Sequence, residues 1–177
     1  MQNILITGNP RVGKTTLINN IISQLKKSVT GFVTNEIKEG GRRIGFSIKT
    51  LSGLEVPLAS KYNETSNYRV ANYGIYLENI NKIVAELEKE IEKSSYDLII
   101  IDEIGKMELF SSSFKKFLNS CLEKQQVLGT IMLKDNDYTL NIKNRSDTKI
   151  FYLTINNRDT IKEKIIAELS QCLKDQK

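Results

Sequence analysis

The chain has 177 residues, 40% hydrophobic and 27% charged, enough for a sizeable core and unlike a disordered or fibrous polymer. It contains no histidine. That excludes imidazole acid–base catalysis, a Ser-His-Asp triad and any histidine metal site, while Cys121 and Cys172 fall on separate predicted helices without metal-site spacing. The net charge of +5 comes from 26 basic and 21 acidic residues, interspersed and without a basic–aromatic strip. No specific nucleic-acid partner is expected, and no leader or membrane span is read, which points to the cytoplasm.

In chain order, the apolar run Ile4-Leu5-Ile6 predicts a buried strand over 4–7. Residues 8–13 read as a loop and 14–26 as a helix. Gly8-Asn9-Pro10-Arg11-Val12-Gly13-Lys14-Thr15 is a complete G-x-x-x-x-G-K-[ST] phosphate loop in its strand–helix setting. Backbone N–H groups at the helix start would face an anion. Lys14 would reach the β- and γ-phosphates, the Thr15 hydroxyl would ligate Mg²⁺, and Thr16 completes the nucleotide-binding set.

A β-rich stretch follows, with strands over 31–38, 44–51 and 55–59 joined by Glu39-Gly40-Gly41-Arg42 and a Ser52-Gly53 turn. It reads as an antiparallel meander. Residues 60–76 are polar and aromatic-rich and carry no assigned element. Ile80, Ile83, Val84, Leu87 and Ile91 share one helical face, predicting a helix over 78–93.

Leu98-Ile99-Ile100-Ile101 is a continuous apolar run, typical of a strand buried on both faces of a parallel sheet. It ends in Asp102-Glu103, the acidic partner that a phosphate loop requires. Asp102 would hold Mg²⁺ through its water shell, near the ion that Thr15 binds. Glu103 beside it could orient or deprotonate a water in line with the γ-phosphate, which favours hydrolysis over transfer to another acceptor. Asp102-Glu103-Ile104-Gly105 also fits the short D-x-x-G pattern of regulatory GTPases. No Asn-Lys-x-Asp segment accompanies it, and Asn156-Asn157-Arg158-Asp159 is no substitute.

Phe114, Phe117, Leu118, Cys121 and Leu122 mark a helix, with Ser111–Ser113 as N-cap residues. Strands follow over 127–133 and 150–155, with a polar, loop-rich stretch over 134–148 that has room for a short helix. A last helix over 159–174 turns Ile161, Ile165, Ile166, Leu169 and Leu173 inward. The alternation implies an α/β fold: a mostly parallel central sheet with helices on both faces, extended at one edge by the meander. All 177 residues are expected to form one domain.

The segment Asp102-Glu103-Ile104-Gly105-Lys106-Met107-Glu108-Leu109 closely resembles one typical of the P-loop nucleoside-triphosphatases first characterised in thermophiles, known in human as the cancer-related nucleoside-triphosphatase. Gly40-Gly41-Arg42-Arg43-Ile44-Gly45-Phe46, Leu128-Gly129-Thr130-Ile131 and Asn157-Arg158 also resemble that family, in order, from Ile4 to about Arg158. The resemblance implies a P-loop three-layer sandwich and Mg²⁺-dependent hydrolysis of ATP, GTP, CTP and UTP to diphosphate and phosphate with broad base tolerance. It assigns Gly8, Gly13, Lys14, Thr15 and Thr16 to the phosphate loop, and Asp102 and Glu103 to the acidic strand end. Two positions depart from it: Arg11 and Ala71 stand where the family usually has glycine, and the loop position often needs positive φ.

Developing charge on a transferred phosphoryl group commonly needs a guanidinium, and Arg42, Arg43, Arg145 and Arg158 are the candidates. The alternative functions are a small-molecule or nucleotide kinase, with Lys143-Asn144-Arg145 as a sparse lid, and a nucleotide-dependent switch. If the base were read at all, Tyr62, Tyr68 and Tyr73 would be the stacking residues.

Overall fold

A computed structural model describes residues 2–124 and 126–171. β1 (Asn3–Gly8) leads through the loop into α1 (Lys14–Ile22). The meander is β2 (Val29–Glu39), β3 (Arg42–Thr50) and β4 (Glu55–Ser60), followed by two short strands, β5 (Arg69–Val70) and β6 (Tyr73–Ile75). Then come α2 (Leu77–Lys93), β7 (Leu98–Ile104), a 3₁₀ turn over Glu108–Phe110, and α3 (Ser112–Glu123). β8 (Val127–Ile131), α4 (Asp137–Lys143), β9 (Thr148–Leu153), a 3₁₀ turn over Ile155–Asn157, and α5 (Arg158–Gln171) complete the described chain.

Among the described residues, nine strands join one sheet in the order β5-β6-β4-β3-β2-β7-β8-β1-β9. From β2 to β9 the pairing is parallel. From β2 outward to β5 it is antiparallel. β2 therefore belongs to both halves, pairing Phe32 with Ile101 on one side and with Thr50 on the other.

Strand alternation sorts the core into two layers. Leu5, Ile99 and Ile101 face α2 and α3, where Ile80, Ile83, Leu87, Phe114 and Leu118 are fully buried. Ile4, Ile6 and Ile100 face the other way, onto Ile18 and Ile21 of α1 and Ile165 of α5. Side chains one residue apart on a strand must point to opposite faces, so a continuous apolar run feeds both layers. Ser111 caps α3, its Oγ accepting from the Phe114 N–H at 2.9 Å, a cap worth about 1 kcal/mol.

Several boundaries differ from those expected. The helix after the loop stops at Ile22 rather than 26, because the chain must reverse into β2; Ser28 is fixed there by its N–H donating to Asp97. β8 stops at Ile131, not 133, since its neighbour β1 turns away at Gly8. β9 runs 148–153 rather than 150–155: Thr154 and Asn157 form a capping box that starts a new turn, and Ile155 is left exposed. β7 continues through Asp102 and Glu103 to Ile104. The unassigned stretch 60–76 contains β5 and β6, and the 134–148 stretch contains α4, capped by Asn136 and Thr139. Ile161, Ile165 and Leu169 are buried and Ile166 partly so; Cys172, Leu173 and the expected helix end at 174 lie outside the described residues. Among the described residues no helix is long and apolar enough to cross a membrane.

Candidate functional site

The loop between β1 and α1 turns at the carboxyl edge of the parallel strands. Gly8 has φ 153, and a Cβ there would sit 2.5 Å from the Leu153 carbonyl oxygen, so only glycine lets β1 bend off beside β9. Gly13, at φ 95, begins α1. Arg11 has φ 64 and Ala71 φ 51. Both residues that replace expected glycines therefore keep the left-handed conformation, at a cost of about 1–3 kcal/mol each. At Arg11 the cost is accompanied by a guanidinium on the rim of the loop.

Lys14 folds its ammonium toward the loop, donating to the carbonyls of Gly8 at 3.2 Å and Asn9 at 3.4 Å. Across from it, the β7–β8 ladder is interrupted between Ile101 and Ile104. Within that gap Asp102 is buried at 1% exposure. Its Oδ1 accepts from the Thr130 hydroxyl at 2.5 Å, and the Thr15 hydroxyl is near enough to help hold the carboxyl's pKa down. Asp102 Oδ2 is buried without a hydrogen-bond partner among the described residues. An orphaned carboxylate oxygen beside the loop threonine is a hard-donor set suited to Mg²⁺.

Burial pushes the Asp102 carboxyl above its ordinary pKa, against the hydrogen bonds from Thr130 and Thr15 and the charge of Lys14. Burial also raises Glu103; Lys14 opposes the shift and the neighbouring Asp102 adds to it. A third acid, Glu108, is only 4% exposed. Burial lifts it to about 8, with Glu103 and Asp102 adding to the rise and the amides of Glu108 and Gly105 countering it. Gly105 separates the two glutamates: a Cβ there would lie 2.9 Å from Glu108 Oε2 and 3.6 Å from the Glu103 carboxyl carbon.

Two cavities meet at this point. A polar groove of about 840 Å³ runs between the loop and the β2–β3 hairpin, bounded by Arg11, Thr15, Thr16, Asn35, Glu36 and Arg43. An apolar cavity of about 420 Å³ opens on the other side. Pro10, Lys14, Thr34, Phe46 and Glu103 border both.

The arginines separate clearly. Arg158, at the start of α5, donates from Nε to the Val12 carbonyl at 2.9 Å and lays its guanidinium against Gly13. Arg43 borders the groove, held by Glu36 at 2.7 Å and the Tyr73 hydroxyl at 3.1 Å, over the Phe46 ring at 4.9 Å. Arg42 is exposed at the hairpin tip. Arg145 is paired with Asp147 at 2.7 Å and borders neither cavity. The loop, Asp102, Glu103, Arg158 and Arg43 are thus gathered, and Arg42 and Arg145 are not. Of the tyrosines, Tyr73 is buried under Arg43, while Tyr62 and Tyr68 are exposed and border neither cavity. Glu108 and Phe46 were not singled out from the sequence. The signal for Glu108 was an acid set among Met107, Leu109 and Phe110, where an exposed carboxylate would be out of place.

A family model described as NTPase matches residues 3–166. The nucleoside-triphosphatase THEP1 of Thermotoga maritima is 42% identical over 168 residues, covering 94% of this chain and 94% of that protein. The human cancer-related nucleoside-triphosphatase is 37% identical over 181 residues, covering 94% and 95%. The crystal structure of THEP1 from Aquifex aeolicus superposes with a TM-score of 0.82 at 36% identity, covering 96% of this chain and 99% of that one.

Proposed function

The chain belongs to the NTPase family, and on that premise we propose that residues 8–16, Asp102 and Glu103 carry out Mg²⁺-dependent hydrolysis of nucleoside 5′-triphosphates to diphosphate and phosphate. The observation that bears most on this reading is the position of Lys14 and Glu103, the two charged side chains shared by the polar groove and the cavity beyond it. Bond cleavage at a γ-phosphate needs a cation on one side and a base on the attacking side, and these two groups meet there.

The loop N–H groups between Gly8 and Thr15, which Pro10 lacks, would hold the phosphates at the α1 N-terminus. Lys14 would leave the Gly8 and Asn9 carbonyls for the phosphate oxygens, a charge-assisted exchange that favours the bound state. Thr15 and Asp102 would hold Mg²⁺, which supplies charge neutralisation on the β- and γ-oxygens when bound. Glu103 would accept a hydrogen bond from the attacking water and take its proton. Its raised pKa makes it a stronger base than an exposed glutamate. Arg158 would add a guanidinium to the loop side and Arg43 to the groove wall.

The contacts assigned in the groove go to the phosphates and Mg²⁺ rather than to the base, so ATP, GTP, CTP and UTP should all serve. The proposed substrates and metal support a cytoplasmic location and a single catalytic domain. The test is phosphate release from each of the four nucleotides, with Mg²⁺ and with excess chelator. Release from all four within about a hundredfold of one another, equivalent to about 2.7 kcal/mol, and only with Mg²⁺, is expected. A larger spread would reveal a base-reading pocket, and release without divalent metal would remove the roles given to Thr15 and Asp102.

A further inference from the structure

Hydrolysis needs room for one water on the attacking side, about 30 Å³. The apolar cavity bordered by Glu103 and Lys14 is about 420 Å³. Its walls are Phe46, Leu58, Val70, Met107, Met132 and Leu133. These come from five strands or loops that are separate in sequence. Nothing in water attack calls for such a chamber: apolar walls bind water poorly, and two flexible thioethers beside a phenyl ring suit a ring-shaped organic molecule. The polar groups are few and convergent. Glu103, Lys14 and the buried Glu108 line it, as do Lys106 and Lys134, which are exposed.

The geometry points to a second substrate site: a small aromatic alcohol binds in this cavity with its hydroxyl at Glu103, and the enzyme transfers the γ-phosphoryl group to it in competition with water. The inference rests on the assignment of Glu103 as the base of the hydrolytic reaction. In the transfer, the alcohol oxygen forms a bond to the γ-phosphorus. The bond from that phosphorus to the β–γ bridging oxygen breaks, and its electron pair leaves on the nucleoside diphosphate. The hydroxyl proton passes to Glu103. The products are an aryl-alkyl phosphate monoester and the diphosphate, with no oxidant or further reactant. Lys106 and Lys134 favour an alcohol that also carries a carboxylate on its ring.

The chain has three methionines, and two of them, Met107 and Met132, border the cavity. Protein labelled with ¹³C at the methionine methyl groups is titrated with benzyl alcohol, 2-naphthalenemethanol and 4-(hydroxymethyl)benzoate. The Met107 and Met132 signals should shift saturably with at least one of them. L133W, which places an indole in the mouth of the cavity at a partly exposed position, should abolish the shifts. With γ-³²P-labelled ATP and Mg²⁺, that same alcohol should yield a labelled monoester, saturating at the concentration that saturates the methyl shifts. Methyl signals that do not move, or that move with no ester while phosphate is released, would overturn the inference and leave the hydrolytic reading intact. Absence of phosphate release from the wild-type protein without any alcohol would strike the hydrolytic reading instead.

Discussion

The parallel and antiparallel halves of the sheet surround the same carboxylate with opposite materials. The parallel half contributes Lys14, Thr15, Asp102, Glu103 and, from the start of α5, Arg158: charged and hydroxyl groups to which the proposed reaction assigns phosphate binding, metal binding and proton transfer. The antiparallel half contributes Phe46, Leu58, Val70 and Arg43, which form walls. The difference follows from topology. All parallel strands end at one edge, so the loops after β1 and β7 converge there without long-range design. The antiparallel extension offers strand faces instead, and faces shape volume. Chemistry should therefore be lost by damage to one half, and affinity or selectivity by damage to the other.

The largest effect is expected at Lys14. Lys14→Ala removes a charge-assisted contact to the transferred group, and turnover should fall by about 10³-fold or more with weakened triphosphate binding. Because the hydrogen bonds of Lys14 among the described residues go to loop carbonyls, the thermal melt should stay close to wild type. A folded variant with full turnover would remove the phosphate-loop assignment.

Glu103→Gln should lower single-turnover hydrolysis by about 10²–10⁴-fold, the range for a lost general base, with little change in nucleotide affinity. Asp102→Asn should differ by raising the Mg²⁺ concentration needed for activity. If Glu103→Gln hydrolyses normally, Glu103 is a spectator in its gap of the β7–β8 ladder, and the division of labour between the two halves fails at its centre.

The arginines grade the comparison further. Arg158→Ala should cost about 10–100-fold in kcat/KM, and Arg145→Ala, which breaks only an ion pair with Asp147, should leave kinetics unchanged. Arg43→Gln, on the meander side, should raise KM by no more than about tenfold while kcat holds. Equal effects on kcat from Arg43 and Arg158 would show that the meander takes part in the chemistry.

A last effect lies outside the kinetics, on stability, and concerns Glu108. Its carboxyl titrates near 8 in the folded chain against 4.5 for the free side chain. The folded state then holds a proton that the unfolded state releases between those values. Stability from this group is complete below about pH 4.5 and declines as pH rises to about 8. Glu108→Gln lacks that titration. Its melting temperature without nucleotide should therefore fall less than wild type's as the pH is raised through that window. Parallel curves would mean that Glu108 is ionised in the folded chain.

The loop at 8–15 and the acids at 102–103 were legible because each is contiguous and its chemistry depends on local spacing. The gap in the β7–β8 ladder and the left-handed backbone of Ala71 had no comparable spacing rule. Residues 60–76 resisted assignment for a related reason. β5 and β6 together span five residues, too few for periodicity to register. They are held as strands by β4 and by side chains, such as Ser66 donating to the Ile75 carbonyl at 2.8 Å.

The four arginines looked alike in sequence, and only the fold separated them. Arg158 lies 146 residues from the Val12 carbonyl it bonds, so no local pattern could place it on the loop. The sequence by itself determined the α/β alternation, the phosphate loop and the acidic strand end, because short-range geometry dictates them. Tertiary structure decided which arginine reaches the loop, buried Glu108 beside Glu103, and enclosed the apolar cavity. Each of these depends on strands that meet only when a sheet brings distant segments within contact distance.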